Sequence, residues 1–420
     1  MNVLHISTFD KGGAAIAAIR SHTSLLDCNI ESNILFLFAQ NADSIKNGFI
    51  YNKKEIQPSL IIRILNKLQL SKKKTQKEIN EKLLENKIAG YEMFSFAHSD
   101  YDITHLQVYK NADIIHLHWV SNFLSFNFFQ KTKKPIVWTL HDMNPFTGGC
   151  HYSMGCEKHK ENCENCPQLI GTIDTNSAYC NLKLKKKKLA SKQIEIVTPS
   201  KWLASHSQKS SLFGTYSHTV VPNTLDLTIY KKLNKDDCRK KLNLPPHAPI
   251  LLFVAENIKN QRKGFTLLMK SIIELQIPNL QLVCIGKKNG NIDLVKDVHF
   301  LGEIHDEHTM AIAYNAADLF ILPSVEDNLP NVMLESLCSG TPIIAFPNSG
   351  AEEIIQNGIN GIITDEISST SLSSAISTFF LSQTQFDNIA ISNQAHINFS
   401  SEKHNEAYLK IYKKLRRFNR

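Results

Sequence analysis

Leu322-Pro-Ser-Val-Glu-Asp-Asn-Leu-Pro-Asn-Val-Met-Leu-Glu335 is the stretch whose reading decides the fold. It follows the apolar run Leu319 to Leu322, which reads as a buried strand, and it leads into a helix that Gly340 and Pro342 close. Pro330 suits the first helical position, where its missing N–H costs no intrahelical bond. Ser324, Glu326, Asp327 and Asn328 thus stand at the carboxyl end of a strand, beside unpaired N–H groups at a helix amino end. Such a position attracts anions, phosphate above all. Glu335, about a turn and a half into the helix, is placed to face the same region as Asp327. Two carboxylates beside an anion site serve better as acceptors for sugar and ribose hydroxyls than as phosphate ligands.

Upstream of this stretch, an alternation of strands and helices begins near residue 235. Ile250 to Ala255, Leu280 to Gly286 and Val298 to Gly302 read as strands, and Ala316 to Leu322 leads into the opening stretch. Arg262-Lys-Gly264 stands just ahead of a helix, where adjacent Arg and Lys make a diphosphate clamp or, more plainly, a solvated basic pair. The nearby anion site favours the clamp. Val220-Val-Pro-Asn-Thr-Leu-Asp226 has the turn chemistry of a hinge.

The amino-terminal half has its own α/β pattern. Val3 to Ser7 runs into Gly12-Gly13 and an Ala-rich helix, so the backbone there either approaches a ligand or simply turns tightly. Asp113-Ile-Ile-His-Leu-His-Trp119 and Pro135-Ile-Val-Trp-Thr-Leu-His-Asp142 are near-continuous apolar strands, as in a parallel sheet covered on both faces. His116, His118, His141 and Asp142 fall at or near their carboxyl ends, where open α/β sheets bind ligands. A strand histidine usually satisfies the core; His141-Asp142 borders a Pro/Gly-rich loop, which favours function. That loop contains Cys150, Cys156, Cys163 and Cys166, four thiols ending in a Cys-x2-Cys knuckle, a pattern that suits a structural zinc ion. Reduced free thiols or redox pairing are the alternatives.

Two segments are strongly basic. Residues 53–90 place Ile61, Ile62, Ile64 and Leu65 among Lys53, Lys54, Arg63 and Lys67, which suits either an anionic membrane surface or a helical hairpin with a solvated face. Leu182 to Lys192 reads as an exposed lysine-rich helix. Asp100-Tyr-Asp102 follows no apolar strand and reads as a surface loop or a helix start, not a metal-binding Asp-x-Asp. At 420 residues the chain predicts two domains, and its net charge of +8 favours an anionic partner. No apolar run reaches the ~18 residues a membrane span needs, and the amino terminus reads as a strand, so a cytoplasmic protein is expected.

With these residues in hand, the chain resembles the retaining glycosyltransferases of family four, nearest to the bacterial branch of capsule, colanic-acid and O-antigen synthesis. The resemblance rests on Gly12-Gly-Ala14, His116-Leu-His-Trp119, Thr139 to Cys150, Cys163-Glu-Asn-Cys-Pro-Gln168, Thr198-Pro-Ser200, Pro222-Asn223, Arg262-Lys-Gly264 and Pro323 to Glu335. It implies the GT-B fold, two Rossmann-like α/β domains facing each other across a cleft. The expected boundaries are 1–222 on the acceptor side, 223–395 on the nucleotide-sugar side, and a terminal helix, 396–420, packing back on the first domain.

The resemblance also implies residue roles. Lys263, helped by Arg262, would pair with the donor diphosphate, and the backbone of Asn328, Leu329 and Pro330 would lie against donor sugar and phosphates. Glu335 would accept from the ribose hydroxyls, Asp327 from the sugar. His141 would touch the donor sugar, with Gly12 and Gly13 close by. No catalytic metal is expected. The implied partners are a UDP- or GDP-sugar, a saccharide or polyprenyl-linked acceptor and an anionic membrane face, and not nucleic acid. A nucleotide-sugar epimerase of the same shape is the alternative, and a zinc-bearing nucleic-acid binder a remote one. Two departures stand out: Asp327 replaces the family's first Glu, and Asn257 stands where many relatives have Arg.

Overall fold

The computed structural model describes residues 1–51, 74–288, 298–381 and 386–418. The chain divides into two compact units, one of 1–198, 203–220 and 407–420, the other of 199–202 and 221–406. Of the basic segment expected at 53–90, residues 53–73 lie outside the described residues. The remainder holds the helix Gln76–Leu83, whose Thr75 hydroxyl accepts from the Glu78 N–H while the Glu78 carboxylate accepts from the Thr75 N–H.

The first unit is built on β1 (Asn2–Phe9), β2 (Glu31–Phe38), β3 (Gly48–Ile50), β4 (Ile114–Leu117), β5 (Ile136–Thr139), β6 (Ile194–Thr198) and β7 (His218–Val220). They form one sheet in the order β3-β2-β1-β4-β5-β6-β7, with every pairing parallel. The order reverses between β1 and β4, so the switch point of the sheet lies where His5, His116 and His118 stand. Gly12 precedes the helix Gly13–Asp27 with φ 88°, a left-handed value that favours glycine. Gly13 is different: a Cβ added there would meet open space.

The second unit carries β8 (Ile250–Asn257), β9 (Gln281–Lys287), β10 (Val298–Gly302), β11 (Leu319–Leu322), β12 (Ile343–Ala345) and β13 (Gly361–Ile363). Their order is β10-β9-β8-β11-β12-β13, again all parallel. β11 explains why its run is wholly apolar. Phe320 and Leu322 enter the core on one face of the sheet, and Leu319 and Ile321 enter the core on the other. Asp318, just before β11, accepts from Lys235 and Arg239 and from the Ile250 N–H, which ties the start of the strand to its neighbour.

The strand expected at Leu319 to Leu322 is found there, after a helix that runs through Ala316. Two expectations need correction. Pro330 is the residue flanking the helix Asn331–Cys338 and not its first member; its extended ψ of 131° keeps it outside. Lys185 is not on an exposed face. It is fully buried, and its ammonium donates to the Asn144 and Thr147 carbonyls at 2.5 and 3.1 Å.

Gly264 is where backbone and packing coincide. It holds φ 71°, and a Cβ on it would fall 1.7 Å from the Pro323 carbonyl oxygen. Gly358 has a similar φ of 77° with nothing within 4 Å of the added carbon. Gly358→Ala is therefore expected to cost only the left-handed strain of about 1–2 kcal/mol. Gly264→Ala adds a backbone collision and is expected to lower the melting temperature by at least twice as much, as differential scanning calorimetry of the two variants would read.

Candidate active site

In the second unit the site grows from the turn at 261–264 and the loop after β11. Asn260 caps the short turn Gln261–Lys263 by accepting from the Arg262 N–H, and Gly264 then lets the chain enter the helix Phe265–Ile273. The Arg262 carbonyl accepts from the Val325 N–H at 2.9 Å. The Arg262 guanidinium, itself buried, reaches the Glu326 carbonyl at 2.8 Å and Asp327 Oδ2 at 3.1 Å. Lys263 donates to the same oxygen at 2.6 Å. Asp327 is thus a buried carboxylate clasped by two cations. Burial alone would push its carboxyl up; Lys263 and then Arg262 outweigh that and hold it well below the usual carboxylate range.

The rest of the loop is pinned as well. Asn328 Oδ1 accepts from the Ser200 hydroxyl at 2.6 Å, and the Gly350 N–H donates to the Asp327 carbonyl at 3.2 Å. Leu329 is buried in the core below. Within the helix Asn331–Cys338, Glu335 is buried and its Oε2 accepts from the Tyr314 hydroxyl at 3.0 Å. The helix ends as expected: Gly340, at φ 78°, donates to the Leu337 carbonyl and Thr341 to that of Ser336.

The structure therefore brings Arg262, Lys263, Asp327 and Asn328 into one cluster. The sequence had separated Lys263 and Asp327 into a phosphate group and a sugar group; here they are each other's partners. Arg262, with its several acceptors, serves as the internal brace. Lys263, whose side chain is 21% exposed against 8% for Arg262, is the cation better placed to reach a ligand.

In the first unit His141 and Asp142 follow β5. Asp142 accepts from Trp119 Nε1 and from His151 Nδ1, both at 2.6 Å, and from the Asn144 N–H at 2.9 Å. Burial would raise its carboxyl, but His151 and these donors hold it low. An ionised Asp142 requires the proton on His151 Nδ1. His141 joins a row of histidines across the sheet: its Nε2 meets His118 Nδ1 at 3.1 Å, and His118 Nε2 meets His5 Nδ1 at 2.9 Å. His116 is held separately, between the Thr139 and Tyr412 hydroxyls at 2.7 Å each. Each bond in the row needs one N–H and one lone pair, so the tautomers of His141, His118 and His5 are set together.

Tyr408 and Tyr412, one turn apart on the helix Ser401–Phe418, complete this network; the Tyr408 hydroxyl lies 2.8 Å from Thr139 Oγ1. Sequence reasoning missed both. Their signal was a pair of tyrosines at i and i+4 in an otherwise charged helix. Asp102 accepts from Lys131 at 2.5 Å and from Thr104, so Asp100-Tyr-Asp102 orders a loop.

Comparison with known proteins completes the assignment. Across the whole chain the fold is that of the GT-B class. Sucrose-phosphate synthase from Thermosynechococcus elongatus superposes with a TM-score of 0.68 over 99% of both chains at 16% identity. HepE of Anabaena, solved in complex with UDP-glucose, gives 0.67 over 99% of this chain and 100% of that one, also at 16% identity. Residues 248–381, which hold Lys263, Asp327 and Glu335, match the family described as "Glycosyl transferases group 1"; that part of the chain is a group 1 glycosyltransferase domain.

Among curated relatives, WcaC of Escherichia coli (strain K12), named for glycosyl transfer in colanic acid biosynthesis, is 26% identical over 60% of this chain and 63% of its own. The lipopolysaccharide 1,2-N-acetylglucosaminetransferase of Salmonella typhimurium is 27% identical over 42% of this chain and 51% of its own. The chain spans less than two thirds of the length of these relatives.

Burial pushes His141 down to about 4, with Asp142 pulling weakly the other way, and burial likewise pushes His404 of the second unit to about 4. An unfolded histidine titrates near 6.5. Below that value the unfolded chain binds more protons, so the stability gained by keeping these rings neutral is complete above about pH 6.5 and is lost as pH falls toward 4. The melting temperature should fall between pH 7 and 4.5, and His141→Gln should lessen the fall. An equal fall in the variant would rule out His141 as a contributor.

Proposed function

We propose that this chain is a retaining glycosyltransferase that moves a hexose from a UDP- or GDP-linked donor to a saccharide acceptor, carried on a membrane polyprenyl lipid, in bacterial surface polysaccharide synthesis. The observation that supports it most is the Lys263–Asp327–Arg262 cluster, inside the same group 1 match as Glu335. A nucleotide diphosphate sugar presents what these groups bind: phosphates for Lys263, ribose hydroxyls for Glu335 and sugar hydroxyls for Asp327. The neighbour solved with UDP-glucose favours a nucleotide-sugar donor, and the relatives in colanic acid and lipopolysaccharide synthesis favour a cell-surface glycan.

On this reading catalysis is positioning and electrostatics. Lys263 leaves Asp327 for the donor phosphates and stabilises the departing nucleoside diphosphate as the glycosidic bond breaks. Asp327 and Asn328 hold the hexose. Among the described residues no helix is long and apolar enough to cross a membrane.

The test is a thermal-shift panel of UDP- and GDP-sugars followed by product analysis with the best binder. A matching donor at 100 times its Kd stabilises the chain by about 2.7 kcal/mol. Glu335→Ala should abolish that shift and Lys263→Ala should reduce it, each measured against the variant's own unliganded melting temperature. No shift with any donor would overturn the reading, and a donor epimerised without an acceptor would replace transfer by epimerisation.

A further inference from the structure

The cysteine-rich loop is not used by the glycosyl-transfer reading, and its four cysteines border one cavity. Cys150, Cys156, Cys163 and Cys166 all line a single cavity of about 20 Å³, shared with Lys158 and His159. None is in a disulfide. One backbone donor is aimed at a sulfur: the Gly148 N–H reaches Cys163 Sγ at 3.2 Å. The loop here has Cys163 and Asn165 in left-handed backbone, φ 59° and 49°. A thiol sulfur is a weak acceptor, so this donor suits a thiolate better than a thiol.

We propose that these four cysteines hold one structural zinc ion. The four thiol protons pass to solvent as four Zn–S bonds form, which closes a tetrahedral shell and leaves no position for substrate. The resulting double negative charge has Lys158 at the cavity wall and the buried Lys185 behind it.

The rival donor set is His5, His116 and His118. Among the described residues it is this trio, and not the cysteines, that places three ligand atoms within 4.8 Å of one another. Five of its six ring nitrogens are engaged, however: both of His116 by Thr139 and Tyr412, both of His118 by His5 and His141, and His5 Nδ1 by His118. The trio is a hydrogen-bond network, whereas the four cysteines line one small cavity.

The ion would fix the segment that begins at Asp142. That segment carries His151, whose ring orients Asp142 beside His141. Metal loss should therefore loosen Asp142 without touching the second unit. This proposal stands apart from the glycosyl-transfer reading, because its measurements need no substrate.

The experiment is metal analysis of the full chain purified without added metal, with about one zinc per chain expected. Cobalt exchanged for zinc should give the near-ultraviolet charge-transfer bands of thiolate ligands, and Cys163→Ser or Cys166→Ser should lose both metal and bands. Chelation should raise the count of thiols that react with a thiol reagent by the four cysteines named. A folded chain that remains metal-free after refolding with zinc would overturn the proposal. So would cobalt bound without thiolate bands, or zinc retained when both knuckle cysteines are replaced.

Discussion

A carboxylate with almost no access to water has to be paired, and in this chain that requirement falls on Asp327. Its two cationic partners come from the turn at 261–264, some 60 residues earlier, so the ion pair joins two loops at the carboxyl ends of β8 and β11. Desolvating three charges is expensive, and the arrangement offsets it with hydrogen bonds: Arg262 also serves the Glu326 carbonyl, and Asp327 Oδ1 accepts from the Asn328 N–H. Gly264 belongs to the same constraint. Only a residue without a Cβ lets the turn press against the Pro323 carbonyl closely enough for Arg262 to reach across.

The first unit solves a similar problem with neutral groups. β1, β4 and the ends of β4 and β5 carry histidines, and most of their ring nitrogens are satisfied by one another, by Thr139 and by a hydroxyl from the terminal helix. The charged member, Asp142, is satisfied by Trp119, His151 and Asn144. His141 is consequently held as a neutral ring between a histidine row and a low-pKa carboxylate. Such a ring donates or accepts a hydrogen bond near neutral pH without carrying charge.

The parts of this structure that were legible in the sequence are those with a local physical signature. The apolar run at Leu319–Leu322 announced a strand buried on both faces, and Gly340 announced the helix end by its left-handed turn. Gly12 was legible because its φ excludes most other residues. What stayed hidden depended on partners far away in the chain. Lys185 looked like one more lysine in a solvated run, yet its ammonium caps carbonyls 38 and 41 residues earlier. The partnership of Lys263 with Asp327, and of Tyr412 with His116, joins residues that no period of 2 or 3.6 relates. Pro330 was displaced by one position because its fixed φ suits both the first helical residue and the residue before it; ψ decides, and ψ is set by the loop.

The shortened acid at position 327 acquires a meaning from the same geometry. An aspartate keeps its carboxylate close to its own backbone, where Oδ1 takes the next N–H and Oδ2 takes both cations. A glutamate, one methylene longer, would carry the charge past Arg262 and give up the brace between the two loops. With Lys263 and Arg262 both on Oδ2, that oxygen has little acceptor capacity to offer a sugar. On the proposed reading the donor itself changes this: its phosphates draw Lys263 away, and Oδ2 then accepts a hexose hydroxyl in place of the ammonium. Arg262, buried and held by the Glu326 carbonyl, stays behind to keep the carboxylate ionised. Phosphate binding and sugar binding are in that case one coupled event, and a free hexose without its nucleotide meets an acceptor that is already occupied.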